Sequence, residues 1–290
     1  VSPDRSQAAY AGSAADLALR ALDALRGIGG TAMIAGHAEQ TDDPQAALAA
    51  IRIVGADAFA PCVLAGAEFH PADAAAVAQS FAVFPPPAHA PAPPPTGPAE
   101  PWLAAWRDWA TAAMLTRFTE DPQGLATGSP TGQNGSAEGG RAEPLSGTGP
   151  GDALAPRPSV APLLVDTEPG PEGGAEGGRA ADGPGAPWQV WSVRMGQLSP
   201  LALPGLDGPV HGAARSAPLA LARGATRAVL RRDFPTAARI TRWLALLAAD
   251  GVPLPLDPVP LVEHLRLHGG GPRLGLDVAI ARRLLALEDA

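Results

Sequence analysis

The chain has 290 residues, with 21 basic and 29 acidic side chains, a formal net charge of −8 and one cysteine. Every basic residue is arginine, so there is no lysine to serve a P-loop, a Schiff base or the nucleotide of a protein kinase. A single cysteine, Cys62, excludes an internal disulfide and a multi-thiolate zinc site.

Apolar residues make up 46% and aromatics only 4%, so a core must draw on Leu, Val, Ile and six tryptophans. No cationic stretch followed by an apolar run opens the sequence, so no secretory signal is expected. No segment is read as approaching the ~20 apolar residues that span a bilayer. The expectation is a soluble cytoplasmic protein without membrane contact. The length suits one large domain or two small ones, and the sequence leaves that choice open.

In chain order, the first predicted unit is an N-terminal helical region, 11–84. Ser13 with Asp16 three residues later resembles a capping box in which Asp replaces Glu. The helix it would open carries Leu19, Leu22 and Leu25 and stops at Gly27 and Gly29. Pro44 and Pro71 each stand where proline opens a helix at no hydrogen-bonding cost. Leu48 and Ile51 line the first of these helices, which Gly55 ends. Ala74, Val77, Phe81 and Phe84 line the second.

Residues 85–101 contain 9 prolines in 17 positions, predicting a stiff polyproline spacer. A helix over 102–118 follows, with Trp102, Trp106 and Trp109 on one face. Such a stripe must dock, either in this chain's own core or in a partner's groove. Residues 119–187 hold 16 Gly and 11 Pro, and Ala137–Ala142 recurs as Ala175–Ala180. This composition predicts a disordered insertion, with a short strand conceivable over Val160–Val165.

The last unit, 188–290, is read as a C-terminal helical domain. Trp188 to Arg194 alternates in a strand-like way. Helices are expected over 217–232, 235–249, 258–268 and 275–288. Ile240, Trp243, Leu244 and Leu247 form one apolar stripe, and Leu276, Ile280, Leu284 and Leu287 another. The predicted fold class is therefore mainly α: bundle-like helical segments separated by Pro-rich and Gly/Pro-rich disordered linkers, with at most a few short strands.

Charge is uneven along the chain. Residues 1–118 carry −5, 119–187 carry −7 and 188–290 carry +4. In the last part Arg223, Arg227 and Arg231 recur at four-residue spacing, with Arg232, Arg239 and Arg242 close behind. These six form the candidate interaction surface. The stripe suits a solvated face, an acidic partner surface, the chain's own acidic insertion, or phosphates. Nucleic acid is the weaker prospect, because no aromatic interleaving and no strongly basic balance accompany the arginines.

Other constellations carry less. His264 and His268 have the spacing of a zincin helix, but Leu265 occupies the glutamate position and no third ligand is evident. His268-Gly269-Gly270-Gly271 resembles an oxyanion-hole run, yet no Gly-x-Ser-x-Gly pentapeptide exists in the chain. Gly27-x-Gly29 follows a helix, the reverse of a dinucleotide loop. Glu68, His70 and Asp73 lie near Cys62, where helix-end roles compete with catalysis or metal binding. No catalytic, cofactor-binding or metal residue is assigned, and no cofactor is expected. The leading expectation is a non-enzymatic protein–protein interaction or scaffold protein with a protein partner. The alternatives are a DNA-binding regulator using the Arg-rich C-terminal helices, and an enzyme assembled from scattered His, Glu and Asp residues.

Overall fold

Proline and aspartate set most helix starts in this chain. A computed structural model describes residues 3–86, 99–120, 157–159, 163, 187–268 and 270–287. The elements are α1 (Pro3–Leu25), α2 (Met33–Gln40), α3 (Pro44–Val54), a 3-10 turn (Gly55–Phe59), α4 (Ala60–Ala65), α5 (Pro71–Val83) and α6 (Ala99–Glu120). The second part of the chain adds α7 (Trp188–Gln197), a 3-10 turn (Ser199–Leu201), α8 (Pro209–Ser216), α9 (Pro218–Leu230), α10 (Phe234–Ala249), α11 (Pro258–Arg266) and α12 (Gly271–Leu284). Among the described residues there is no strand, and the fold is mainly α as expected.

The Asp-Pro pairs work as reinforced starts. Asp43 accepts hydrogen bonds from the Gln45 and Ala46 N–H groups at 3.0 and 3.1 Å, and Asp257 accepts from Val259 at 2.9 Å. Asp233 does the same for Thr236 at 3.2 Å. Each such cap contributes about 0.5–2 kcal/mol. Proline then occupies the first turn, where its missing N–H leaves nothing unpaired.

Three expectations need correction. Ser13 does not open a helix: α1 begins ten residues earlier, and Ser13 lies buried within it, its hydroxyl 2.9 Å from His37 Nε2. Trp188–Arg194 is helical. Trp191, Ser192 and Met195 are buried, with Trp188 partly so, which is the i, i+3, i+4, i+7 spacing of a helix face packed on α9 and α10. Much of the 119–187 insertion, and most of the candidate strand over 160–165, lie outside the described residues. Within it, however, Leu163 is fully buried, and Ser159 O accepts hydrogen bonds from Trp102 Nε1 (2.6 Å) and Trp106 Nε1 (3.1 Å). The tryptophan helix thus anchors in this chain's own core and holds part of the insertion.

The third correction concerns hydropathy. Gly55 adopts φ +64°, a conformation open to glycine, and caps α3, and the 3-10 turn and α4 follow it directly in the chain. The resulting run, Pro44–Ala65, is long and apolar enough by length and composition to cross a membrane. In this structure 78% of its most apolar window is buried inside the fold, and Asp57 sits at its middle.

One contiguous hydrophobic cluster runs from Ala14 to Leu284. Helix α10 is central, packed by α7, α9, α11 and α12, while α12 also packs on α1. Its stripe of Ile240, Trp243, Leu244 and Leu247 is buried throughout, and Trp243 Nε1 donates to Met195 O at 2.7 Å. The α7–α9 contact depends on Gly224, where a Cβ would fall inside the van der Waals radius of the Ser192 side chain. This arrangement leaves the outer face of α9 to solvent and turns one face of α10 toward α12.

Candidate functional site

Arg223, Arg227 and Arg231 recur at one helical turn each along α9, and the structure brings all three to the lining of one open groove of about 700 Å³. Trp188 of α7, Leu219 and Leu230 of α9, and Leu256 of the α10–α11 connection supply its apolar surface. Leu230 is 79% exposed and Leu219 40% exposed, unusual for leucines on an ordered helix. The Arg227 guanidinium lies 6.0 Å from the Trp188 ring centroid, within cation–π range. The guanidinium stripe therefore borders apolar surface instead of forming a uniformly charged face.

The other three arginines of the predicted surface separate from this stripe. Arg232 is exposed just beyond α9, at φ 59°, and does not line the groove. Arg242 is a correction: it is 0% exposed and belongs to no surface. Its Nη1 donates to Asp57 Oδ2 (3.0 Å) and Asp277 Oδ1 (2.8 Å), and its Nη2 to Asp57 Oδ1 (2.6 Å). Arg273 also donates to both aspartates, reaching Asp57 through Nη2 and Asp277 Oδ2 through Nε at 3.2 Å. Arg239, partly buried, stands with its Nε 3.8 Å from Asp277 Oδ2.

Burial alone would push the Asp57 carboxyl up, but the Arg242 and Arg273 guanidinium groups outweigh it and hold the group below the ordinary carboxylate range. Burial likewise pulls Arg242 down, and Asp57 and Asp277 more than reverse this. The network joins the 3-10 turn after α3 to α10 and α12. Sequence reasoning missed it because Asp57 and Arg242 are 185 positions apart. A signal did exist: Asp57 is the only charge between Arg52 and Glu68, in an otherwise apolar run.

The remaining candidates resolve into local structure. His264 Nε2 and His268 Nε2 approach to 3.2 Å, and the His268 ring stacks on Phe234 at 3.9 Å. Among the described residues no group of three or more His, Cys, Asp or Glu side chains is placed to hold a metal ion. His70 Nδ1 accepts from the Ala72 N–H at 3.1 Å and caps α5. Asp73 is buried and accepts from the Ala35 N–H at 2.8 Å, capping α2 from another helix where Ala32 has no side chain to do so. Glu68 stands exposed. Burial, reinforced by Asp73, pushes the Cys62 thiol up to about 12, the opposite of an activated nucleophile.

Compared with protein-family models, curated proteins and solved structures, the chain matches none.

Proposed function

We propose that this chain is a non-enzymatic interaction protein that docks a partner protein in the α9 groove. The observation that carries the reading is the conjunction in that groove of exposed leucines with Arg223, Arg227 and Arg231 at helical spacing. Apolar surface held open to water favours association, and a row of guanidinium groups selects the sign of the partner's charge. The chemistry fits an amphipathic segment whose apolar side chains meet Trp188, Leu219 and Leu230 and whose carboxylates meet the arginines. Candidate enzymatic residues that instead cap helices support the same reading.

Nucleic acid has less support. Arg242 is buried and Arg239 is partly engaged with Asp277, which removes two of the six arginines. The α10–α11 connection, residues 250–257, is also longer than the three- or four-residue turn of a helix-turn-helix.

The test is a native affinity purification run in parallel with wild type and a Leu230→Asp/Arg227→Glu variant whose folding is checked by circular dichroism. A stoichiometric chain retained by wild type and lost with the variant is the expected result. Recovery of the same chains by both proteins, or of none by wild type, overturns the proposal.

A further inference from the structure

A second site lies away from the groove and shares no lining residue with it. Between α1, the end of α3, α6, α10 and α12 there is a cavity of about 390 Å³, within the size range of small-ligand pockets. Arg107 of α6, Arg239 of α10 and Arg273 of α12 all line it, with Ile53 and Val54 on the apolar wall. Ser199, in the short turn after α7, also faces the cavity. It is 1% exposed, and among the described residues its Oγ has no hydrogen-bond partner. A buried hydroxyl without a partner is costly, and such groups are rare in folded proteins.

The charge balance points the same way. Arg239, Arg242 and Arg273 share two carboxylates, Asp57 and Asp277, so one positive charge remains in excess beside Arg107. The nearby Asp108 is already paired with Arg52 at 2.6 Å. Burial pulls Arg107 below the ordinary arginine range, and the neighbouring Arg273 and Arg239 charges add to this, against weaker support from Asp108 and Glu100. Clustering three cations around a partly closed space is unfavourable unless an anion occupies it.

We infer that this cavity binds the phosphate group of a small phosphate monoester, with Arg107, Arg239, Arg273 and Ser199 as donors to its oxygens. An anion offsets the excess positive charge, and guanidinium groups match phosphate geometry. Ile53 and Val54 leave room beside it for a compact uncharged body. This inference is independent of the α9 groove and holds whether or not a protein docks there.

Calorimetric titration at constant ionic strength, with phenyl phosphate, inorganic phosphate and benzoate as probes, tests it. Phenyl phosphate is expected to bind saturably and at least about ten-fold more tightly than benzoate, with inorganic phosphate competing for the same site. Arg107→Gln and Ser199→Ala are each expected to weaken phenyl phosphate by about ten-fold, the effect of losing one charge-assisted hydrogen bond. Leu230→Ser, in the groove, is expected to leave binding unchanged. Without ligand, Arg107→Gln should melt no lower than wild type, because it relieves repulsion among the arginines. Absence of saturable binding, or binding indifferent to both cavity substitutions, overturns the site. Benzoate binding as tightly as phenyl phosphate overturns its assignment to phosphate.

Discussion

Replacing Asp57 by asparagine changes almost nothing in shape and removes one buried charge. Arg242, fully enclosed, would keep only Asp277, which already serves Arg273 and stands beside Arg239. Breaking a buried ion pair from one side costs about 3–5 kcal/mol, because the surviving charge stays desolvated. For an ordered region of this size that corresponds to a fall in Tm of about 6–20 °C. Circular dichroism melts and urea titrations of wild type and Asp57→Asn at pH 7 would measure it. The pH dependence follows from the depressed carboxyl. Its stabilisation is complete above the ordinary value of 3.8 and is lost as pH falls through the lower folded value. The gap between the two proteins should therefore narrow in acid below pH ~4. An Asp57→Leu/Arg242→Met pair should be less damaging than Asp57→Leu alone, since it leaves fewer unpaired charges. A single substitution within about 1 kcal/mol of wild type, or a gap that widens in acid, would refute the assignment of Asp57 and Arg242 as a mutually dependent pair.

Further outcomes follow from other residues. Cys62, buried and with its thiol pushed up to about 12, should react far more slowly with a thiol reagent at pH 8 in the folded state than in denaturant; equal rates would contradict its placement. Burial lowers both His37 and His211, so both are held neutral, and their stabilisation is present above pH ~6.5 and lost as pH falls through their lower folded values. Wild-type Tm should accordingly drop between pH 7 and 5, and a His37→Gln/His211→Gln variant should show a shallower slope. Trp243→Phe removes the indole hydrogen bond to Met195 O, which keeps the Leu198 N–H, and should cost about 0.5–1.5 kcal/mol in urea titrations. Gly224→Ala forces α7 and α9 apart and should cost about 1–3 kcal/mol by the same measurement.

The stripes of α10 and α12 were legible because their leucines and isoleucines repeat at helical period, and the Asp-Pro starts because capping is local. Trp188–Arg194 misled because Trp and Val favour strands and alternate there. Packing of Trp191 and Met195 on α9 and α10 overrode that preference. Helix α8 carries Pro209 at its start, the same device as at Pro44, and that signal was available but unused. Arg223, Arg227 and Arg231 could be grouped from their spacing alone, whereas Trp188 and Leu256 join their groove only through tertiary folding. Arg242 was misplaced for a related reason. A charge within an apolar stripe reads as an interruption until the distant carboxylates that accompany it are known.

The link between Asp57 and Arg242 has a consequence for how the polypeptide is made. A ribosome adding 5–20 residues per second needs about 10–40 s to traverse the 185 positions between them. Throughout that interval the stretch Pro44–Ala65 emerges with its acidic centre and apolar flanks lacking the C-terminal helices that later enclose them. Nascent chains should therefore call on holding chaperones, and the first half expressed by itself should aggregate.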